Sequence, residues 1–295
     1  MKYLKLTATA LFIVIIAIFV SAPTKYMQSF FDGITVWAYN VLPAIFPFTV
    51  ITSIALQLQS KRKRSLTKLL YNIDCDDALI ASVLCGYPIG AKAISDSNAD
   101  AETATKMCAF CSSAGPIFML ATVGAKLLQN TAATVIVITV NICSAIINGF
   151  IYRKSKSKVA NIESNTVKQS NFGEIITNSA LSVISVGGLI ALFYMFTDMI
   201  KTLLPGTLAD NLAIGFAIGF LEMTNGIFNV CRVANTATAT VLCSALLAFG
   251  GVCVLLQCYA FVSGKGVKPI SMIKMKLTQA SIATILSYIL VKIFL

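Results

Sequence analysis

Histidine is absent from this 295-residue chain, and charged residues make up only 12% of it. A soluble globular domain carries about 25% charged residues. No linker long enough to separate a soluble domain lies between the apolar segments. Without histidine, the chain lacks the most common metal ligand and general base. These absences exclude a soluble protein and argue against a histidine-dependent metal site or catalytic triad.

Apolar residues make up 57% of the chain, and the mean hydropathy is +0.82. Both values are typical of an integral membrane protein, so the lipid bilayer is an expected partner. Basic residues outnumber acidic ones by 23 to 12, which gives a net charge of +11. They lie in short loops between apolar segments, where they orient a membrane protein. No nucleic-acid partner is therefore expected.

Nine cysteines are present, and most of them lie inside apolar segments. There we expect small packing side chains and no disulfide framework. Cys108 and Cys111 form a CxxC motif, but no second pair and no histidine stands at metal-ligand spacing, so no metal is predicted. The sequence also lacks a GxSxG motif and a paired acidic motif. We therefore do not expect an enzyme.

Two apolar stretches are broken by residues that a lipid-facing helix would avoid. Ala78–Ser95 reads ALIASVLCGYPIGAKAIS and is interrupted at Gly86–Gly90. Leu212–Val230 reads LAIGFAIGFLEMTNGIFNV and is interrupted around Glu222–Asn225. Broken backbone at membrane depth is tolerated only where protein or a water-filled cavity satisfies its polar groups. Both stretches are predicted to be re-entrant hairpins that line a polar site, a pairing typical of transporters.

The other apolar segments are predicted spans, about seven in all: Leu6–Val20, Val36–Leu58, Met107–Gly124, Thr131–Tyr152, Ile175–Leu203, Thr236–Val262 and Leu277–Phe294. The second contains two prolines and should bend. Ser112–Pro116 interrupts the third, and Gly250–Gly251 interrupts the sixth. Each half of the chain then has the same order: span, broken stretch, interrupted span, plain span. The first segment is favoured as an uncleaved helix over a cleaved signal peptide, the alternative.

Three basic clusters test the topology: Lys61–Lys68 on an amphipathic interfacial stretch, Arg153–Lys168, and Lys265–Lys276. All three fall on the cytoplasmic side if the N-terminus is inside and the two broken stretches enter from opposite faces. The predicted fold is therefore an all-α polytopic membrane protein with an inverted repeat, two re-entrant hairpins and two discontinuous helices. Its expected parts are an N-terminal helix and outer loop (1–32), a first repeat (33–152), a basic cytoplasmic linker (153–173) and a second repeat (174–295).

Over most of its length, from Val36 onward, the chain resembles the sporulation integral membrane protein family YlbJ, a branch of the Gate or nucleoside-recognition domain proteins. The resemblance lies in these motifs: NVLPAIFPF at 40–48, CGYPIGAK at 85–92, SSAGPIFMLATVG at 112–124, GFLEMTNGI at 219–227 and AFGGVCVLLQ at 248–257. In relatives the third motif often begins with Asn where this chain has Ser112 or Ser113.

Gate-domain proteins are similar to the core of concentrative nucleoside transporters. The resemblance therefore implies inverted repeats, two hairpins and two discontinuous helices around a midplane site. It also implies a multi-pass protein of a bacterial cell membrane, or of the outer forespore membrane. There it would pass a small polar metabolite, such as dipicolinate or a nucleoside. The alternative is a non-transporting component or channel subunit of a sporulation complex. A coupling Na⁺ or H⁺ and a homo-oligomer stay open.

Glu222 is the first candidate site residue, because a carboxylate at bilayer depth needs a partner or a purpose. It would bind a coupling ion, a proton or the substrate. The structural alternative is a partner for a lysine or for helix-end N–H groups. Thr224, Asn225 and Gly226 share its break, and the alternative for them is a hairpin turn, since Asn-Gly is a common turn pair.

Lys92 follows the first break, where it would suit an anionic substrate, or it snorkels to the interface. Tyr87 would stack on an aromatic substrate, although it and Gly90 also shape the hairpin. The remaining candidates lie at the two helix interruptions, where they would offer hydroxyls, an amide and free backbone: Ser112, Ser113, Gly115, Gly251 and Gln257. For the small residues at the first interruption, the alternative is close helix packing.

Overall fold

Helices make up nearly all of the computed structural model, which describes residues 2–58, 65–153, 171–205 and 211–295 and contains no extended strand within them. The first half comprises α1 Lys2–Ser21, α2 Pro23–Val36, a π-helical turn Trp37–Val41, α3 Leu42–Leu58, α4 Leu66–Tyr71, α5 Asp76–Cys85, α6 Ile89–Asp96, α7 Ala101–Met107, a π-helix Phe118–Leu128 and α8 Thr131–Ile151. The second comprises α9 Phe172–Thr202, α10 Leu212–Gly219, α11 Met223–Val233, α12 Thr236–Phe249, α13 Gly251–Val262, a 3₁₀ turn Ser263–Lys265 and α14 Pro269–Phe294. The basic residues at 61–64 and 154–168, and with them most of the predicted linker, lie outside the described residues.

The described residues include five helices long and apolar enough to cross a membrane: Pro23–Ala55, Thr131–Ile151, Phe172–Thr202, Thr236–Lys265 and Pro269–Phe294. The chain is therefore a multi-pass helical membrane protein. Seven spans were expected. Of the other two segments, the third expected span holds the shorter apolar helix Phe118–Leu128, and the first lies in the 20-residue α1, whose part Phe12–Ser21 is an apolar helix of the shorter class.

Three predicted connections are helical instead. The expected outer loop after the first span is α2, which begins at Pro23, because proline is well suited to the first turn of a helix. The sequence also predicts a polar connection over Asn98–Lys106, but α7 begins within it, and its N-cap Asp100 accepts from the Thr103 N–H. The prediction of a basic loop at 265–276 is wrong over 269–276, because α14 begins at Pro269.

Small and polar residues bring the long helices together. α2 and α3 pack along α9, where Gly33 lies against Ala191 and Gly187 lies against the Trp37 ring. Ser29 Oγ on α2 donates to the Asp198 carboxylate at 2.7 Å. α8, α12 and α14 pack against one another in the other half of the molecule. Two helical hairpins and two breaks in the helical backbone complete the fold and form the candidate site.

Candidate functional site

The stretch predicted as the first hairpin forms a pair of short helices, α5 and α6, that pack against each other. Gly86 ends α5 with φ +78°, a conformation that favours glycine, and Pro88 precedes α6. With 10 and 8 residues, the two helices rise only about 15 and 12 Å. Neither is long enough to cross a hydrocarbon core of about 30 Å. We call this pair hairpin 1 and its break, Gly86–Pro88, the tip.

The second broken stretch is also a helical hairpin, formed by α10 and α11 and called hairpin 2. Its tip is Phe220–Glu222, and its two helices cross at Gly219 and Gly226. A Cβ added to Gly226 would lie 2.1 Å from the Gly219 Cα, so only glycine allows this approach. The alternative of a turn at Asn225–Gly226 is wrong, because both residues lie inside α11.

Non-helical backbone occurs at both predicted interruptions, but the first begins at 108, four residues before the predicted Ser112–Pro116. Break 1 is the non-helical backbone at 108–115, between α7 and the π-helix. Break 2 is Gly250, which separates α12 from α13. Gly250 and Gly251 have φ +88° and +79°, values that residues with a Cβ rarely adopt. At break 2 the helix is thus interrupted in the middle of a long apolar segment, without a polar loop.

Each hairpin tip docks on the break in its own half of the chain. The Tyr87 N–H in hairpin 1 donates to the Ser113 carbonyl of break 1 at 2.8 Å. In hairpin 2, the carbonyls of Phe220 and Leu221 accept from the N–H groups of Val252 and Cys253, at 2.8 and 3.0 Å, just after break 2. Backbone groups freed by the breaks are thereby paired with backbone groups freed at the tips.

Tyr87 joins the two halves. Its hydroxyl reaches Met223 Sδ at 2.7 Å, next to the tip of hairpin 2, and lies 3.5 Å from the Leu247 carbonyl. Its ring lies beside break 2, since a Cβ on Gly250 would be 3.6 Å from Tyr87 Cε1. The tips and breaks of both halves therefore meet at one place.

The hairpins open at opposite ends of the span Thr236–Lys265. Hairpin 2 ends at Val233, and only two residues separate it from the start of α12 at Thr236. At the other end of the span, Lys265 Nζ donates to the carbonyl of Ser97, the residue that follows α6 of hairpin 1. Since both tips lie near Gly250, the hairpins approach the middle of this span from opposite directions.

A cavity of about 40 Å³ lies where the tips and breaks meet. Five predicted site residues line it: Tyr87, Gly115, Glu222, Thr224 and Gln257. Most of the remaining lining is apolar, including Ile45, Phe118 and Val254. One water occupies roughly 10–15 Å³ on this measure, so the cavity holds about three. Pockets for small metabolites measure roughly 300–1,000 Å³, so this conformation is closed to them.

Glu222 is almost completely buried, with 1% of its surface exposed. Its two carboxylate oxygens accept from the N–H groups of Thr224 and Asn225, at 3.0 and 2.6 Å, so it caps the N-terminus of α11. The positive end of the helix dipole favours this negative charge. No ion pair to Glu222 occurs among the described residues. The structural alternative in which Glu222 pairs with helix-end N–H groups is confirmed, and a lysine partner is not found among the described residues.

The other predicted residues do not line the cavity. Asn225 lies behind it, where its Nδ2 donates to Thr197 Oγ1 at 2.8 Å. Lys92 is half-buried, and its Nζ reaches Ser182 Oγ on α9 at 3.3 Å. Ser112 and Ser113 use their carbonyls in break 1 as acceptors. Three glycines serve close packing, since a Cβ on each would meet neighbouring backbone: Gly90, Gly226 and Gly251.

Lys276 is the residue that the sequence analysis missed. It was assigned to a basic loop, yet it lies in α14 with 2% of its surface exposed. Its Nζ donates to the Ser112 carbonyl of break 1 and to Gln279 Oε1 at 2.9 Å, and lies 5.8 Å from the centre of the Tyr87 ring. Helical spacing could have found it, because Met272, Lys276 and Gln279 fall on one buried face.

Comparisons with known proteins do not place the chain in a family: no family model, no curated protein and no solved structure matches it. The case for its function therefore depends on the geometry of this site.

Proposed function

We propose that this chain is a membrane transporter for a small polar, anionic metabolite. The observation that carries the proposal is the meeting of two helical hairpins and two helix breaks around a cavity that contains the buried Glu222. Interrupted helices in both halves of a membrane protein are the best structural pointer to a transport site. Residues of the tips and breaks, among them Tyr87, Gly115 and Glu222, line this cavity, and broken backbone at membrane depth is tolerated only where protein or a water-filled cavity satisfies its polar groups.

The proposed arrangement in the bilayer is an inverted repeat. α2 with α3 would correspond to α9, hairpin 1 to hairpin 2, the helix with break 1 to the helix with break 2, and α8 to α14. The opposite directions of the hairpins along Thr236–Lys265 support this pairing, since each hairpin would then enter from a different leaflet. The positively charged loops would lie in the cytoplasm with the N-terminus.

The proposed substrate class rests on the resemblance to the Gate-domain proteins and on the positive charge of Lys92. Dipicolinate-like and nucleoside-like compounds are the first candidates, and the expected location is a bacterial cell membrane, in sporulation. Lys92 in α6, four residues after Pro88 at the tip of hairpin 1, supports an anionic substrate. The cavity must enlarge at least severalfold to hold such a compound, so transport requires the hairpins to move away from the breaks.

Uptake into proteoliposomes tests the proposal. The full chain is reconstituted and offered labelled nucleosides and aromatic dicarboxylates in turn. Glu222→Gln removes the buried charge and one of two acceptor oxygens, and it should abolish uptake. Glu102→Gln is the matched control, because Glu102 is exposed and forms an ion pair with Lys106 one turn away. It should keep wild-type uptake.

Two results would count against transport. One is a folded protein that takes up no compound of the panel, as a non-transporting component of a membrane complex would behave. The other is equal uptake by wild type and Glu222→Gln. Elution as a single species in size-exclusion chromatography checks that the variants are folded.

A further inference from the structure

Lys276 is a buried cation without a carboxylate partner. No ion pair to it occurs in the described part of the chain. The helices that pack on or near it, α8, α12 and α13, contain no Asp, Glu, Lys or Arg at all. The titratable groups that face its ammonium are the thiols of Cys258 and Cys108 and the phenol of Tyr87. A charge in such surroundings is costly, so it needs a purpose beyond packing.

The hydrogen bonds of Lys276 do not require its charge. An ammonium group has three N–H donors, and only two oxygen acceptors are present, on Ser112 and Gln279. The ring of Tyr87 is the remaining neighbour, at 5.8 Å. A neutral amine keeps two N–H donors and so keeps both hydrogen bonds. Lys276 can therefore lose a proton without any rearrangement of its oxygen partners.

Tyr87 separates Lys276 from the cavity. Tyr87 lines the cavity, and its ring centre also lies 5.8 Å from the Lys276 ammonium. Its hydroxyl is held only by a thioether, a weak acceptor, and by a carbonyl at 3.5 Å. Movement of the Tyr87 side chain would connect Lys276 to the cavity beside Glu222.

Glu222 is less suited to exchange a proton. Both of its oxygens already accept backbone N–H groups of α11, and this cap requires the carboxylate form. Protonation would cost the helix one of its two N-terminal acceptors. Of the two buried charges at the site, Lys276 is thus the one whose charge can change without loss of a hydrogen bond.

We propose that Lys276 carries the coupling proton of the transport cycle and exchanges it with water in the cavity past Tyr87. The proposal rests on the transport function proposed above. In one direction the ammonium gives its proton to a cavity water and leaves a neutral amine and a hydronium ion; in the other direction the amine takes the proton back. No other bond changes.

The charge state of Lys276 acts directly on hairpin 1. Lys276 holds the Ser112 carbonyl, and the adjacent Ser113 carbonyl holds the tip of hairpin 1 through the Tyr87 N–H. Charge-assisted hydrogen bonds are roughly twice as strong as neutral ones. The protonated form therefore stabilises break 1 and the docked tip, and the neutral form loosens them. Proton release and opening of the cavity are coupled through two neighbouring carbonyls.

A pH jump without substrate tests this site. Proteoliposomes of the full chain are adsorbed on a solid-supported membrane, and the solution is switched from about pH 6 to about pH 9, a range in which exposed lysines keep their charge. The chain has no histidine, and the other groups that titrate there, the α-amino group and accessible cysteine thiols, are the same in every variant. We expect a transient current from proton release in excess of the current from these groups, and this excess transient should be lost in Lys276→Met.

Three further variants make the result specific. Lys274→Met, two residues earlier on the exposed side of α14, should keep the transient, and so should Glu222→Gln. Lys276→Gln, which retains an N–H donor for Ser112, should lack it and serves if the methionine variant does not fold. If neither variant folds, a wild-type transient that Glu222→Gln keeps still supports Lys276.

A wild-type protein without a transient, a transient that persists in the folded Lys276 variants, or one that is lost in Glu222→Gln would overturn the proposal. The assay needs no substrate, so it can succeed where the uptake experiment fails, and the reverse. A proton site at Lys276 without uptake would refute transport alone. Uptake without a Lys276-dependent transient would refute only the role of Lys276.

Discussion

Replacing Gly226 with alanine should open hairpin 2. A Cβ at this position would lie 2.1 Å from the Gly219 Cα and 2.7 Å from the Gly219 nitrogen. Both are backbone atoms, so no side chain can move aside. Ordinary contact begins at 3.4 Å, so α10 and α11 must separate by at least 1.3 Å, the difference between 3.4 and 2.1 Å. The tip with Glu222 would then leave break 2.

The expected loss of stability can be bounded. Overpacking costs about 1–3 kcal/mol, and a clash with backbone belongs at or above the upper end of that range. The better helix propensity of alanine offsets about 1 kcal/mol. The net destabilisation is therefore about 2 kcal/mol, which corresponds to a melting temperature about 4–8 °C lower.

Thermal unfolding with a thiol-reactive dye measures this loss, because all nine cysteines are free and most are buried until the protein unfolds. Gly188→Ala is the matched control. It lies in α9 with no atom within 4 Å of an added Cβ, so it should melt at or slightly above the wild-type temperature. Equal melting temperatures for Gly226→Ala and wild type would refute the close crossing of α10 and α11.

Three further predictions concern single contacts. Tyr87→Phe should destabilise the protein by at most about 1 kcal/mol, because the Tyr87 hydroxyl has only weak partners. Tyr87→Ala should cost about 3–5 kcal/mol in the same melting assay. A loss in Tyr87→Phe as large as that in Tyr87→Ala would contradict this. Burial of Asp76 acts to raise its pKa, but hydrogen bonds from Thr67, Leu66 and Ser65 outweigh burial, so the pKa of Asp76 is lowered in the folded protein. The ionised Asp76 therefore stabilises the fold above the unfolded pKa of about 3.9, and this stabilisation is lost as the pH falls through the lower folded pKa. Asp76→Asn should therefore destabilise the protein at neutral pH, and its difference from wild type should disappear in acid; a constant difference would be inconsistent with the contacts. Mild oxidation should join Cys231 and Cys243, whose Sγ atoms lie 3.5 Å apart, and mass spectrometry of a tryptic digest should find that pair, while a cross-link of either residue to another cysteine would contradict the packing of α11 on α12.

The sequence predicts the interruptions well because their causes are local. Gly86 and Pro88 break hairpin 1 by their own backbone properties, and Gly250 does so in the last interrupted span. The placement of Glu222 at a break was also readable, since a carboxylate in an apolar run needs an exposed helix end or a partner. These features require only neighbours in the chain.

Other features depend on contacts that form only in the folded chain, and the sequence pattern did not show them. Asn225 and Gly226 suggested a turn, but the tip lies earlier, where Glu222 caps the following helix, and Gly226 is needed for the crossing with Gly219. Lys276 was grouped with nearby lysines because average hydropathy does not show which side of a helix a residue occupies. Its burial follows from break 1, far away in the sequence, whose carbonyls need a donor.

The central claim is that the two hairpins enter from opposite faces of the membrane. It can be measured with single cysteines at the open ends of the hairpins, Asn98→Cys beside hairpin 1 and Thr236→Cys beside hairpin 2, both at exposed positions. The partly exposed Cys143 and Cys231 are first replaced by serine. With a membrane-impermeant maleimide, one cysteine should react only in right-side-out vesicles and the other only in inside-out vesicles. Reaction of both in the same vesicle type would contradict the account.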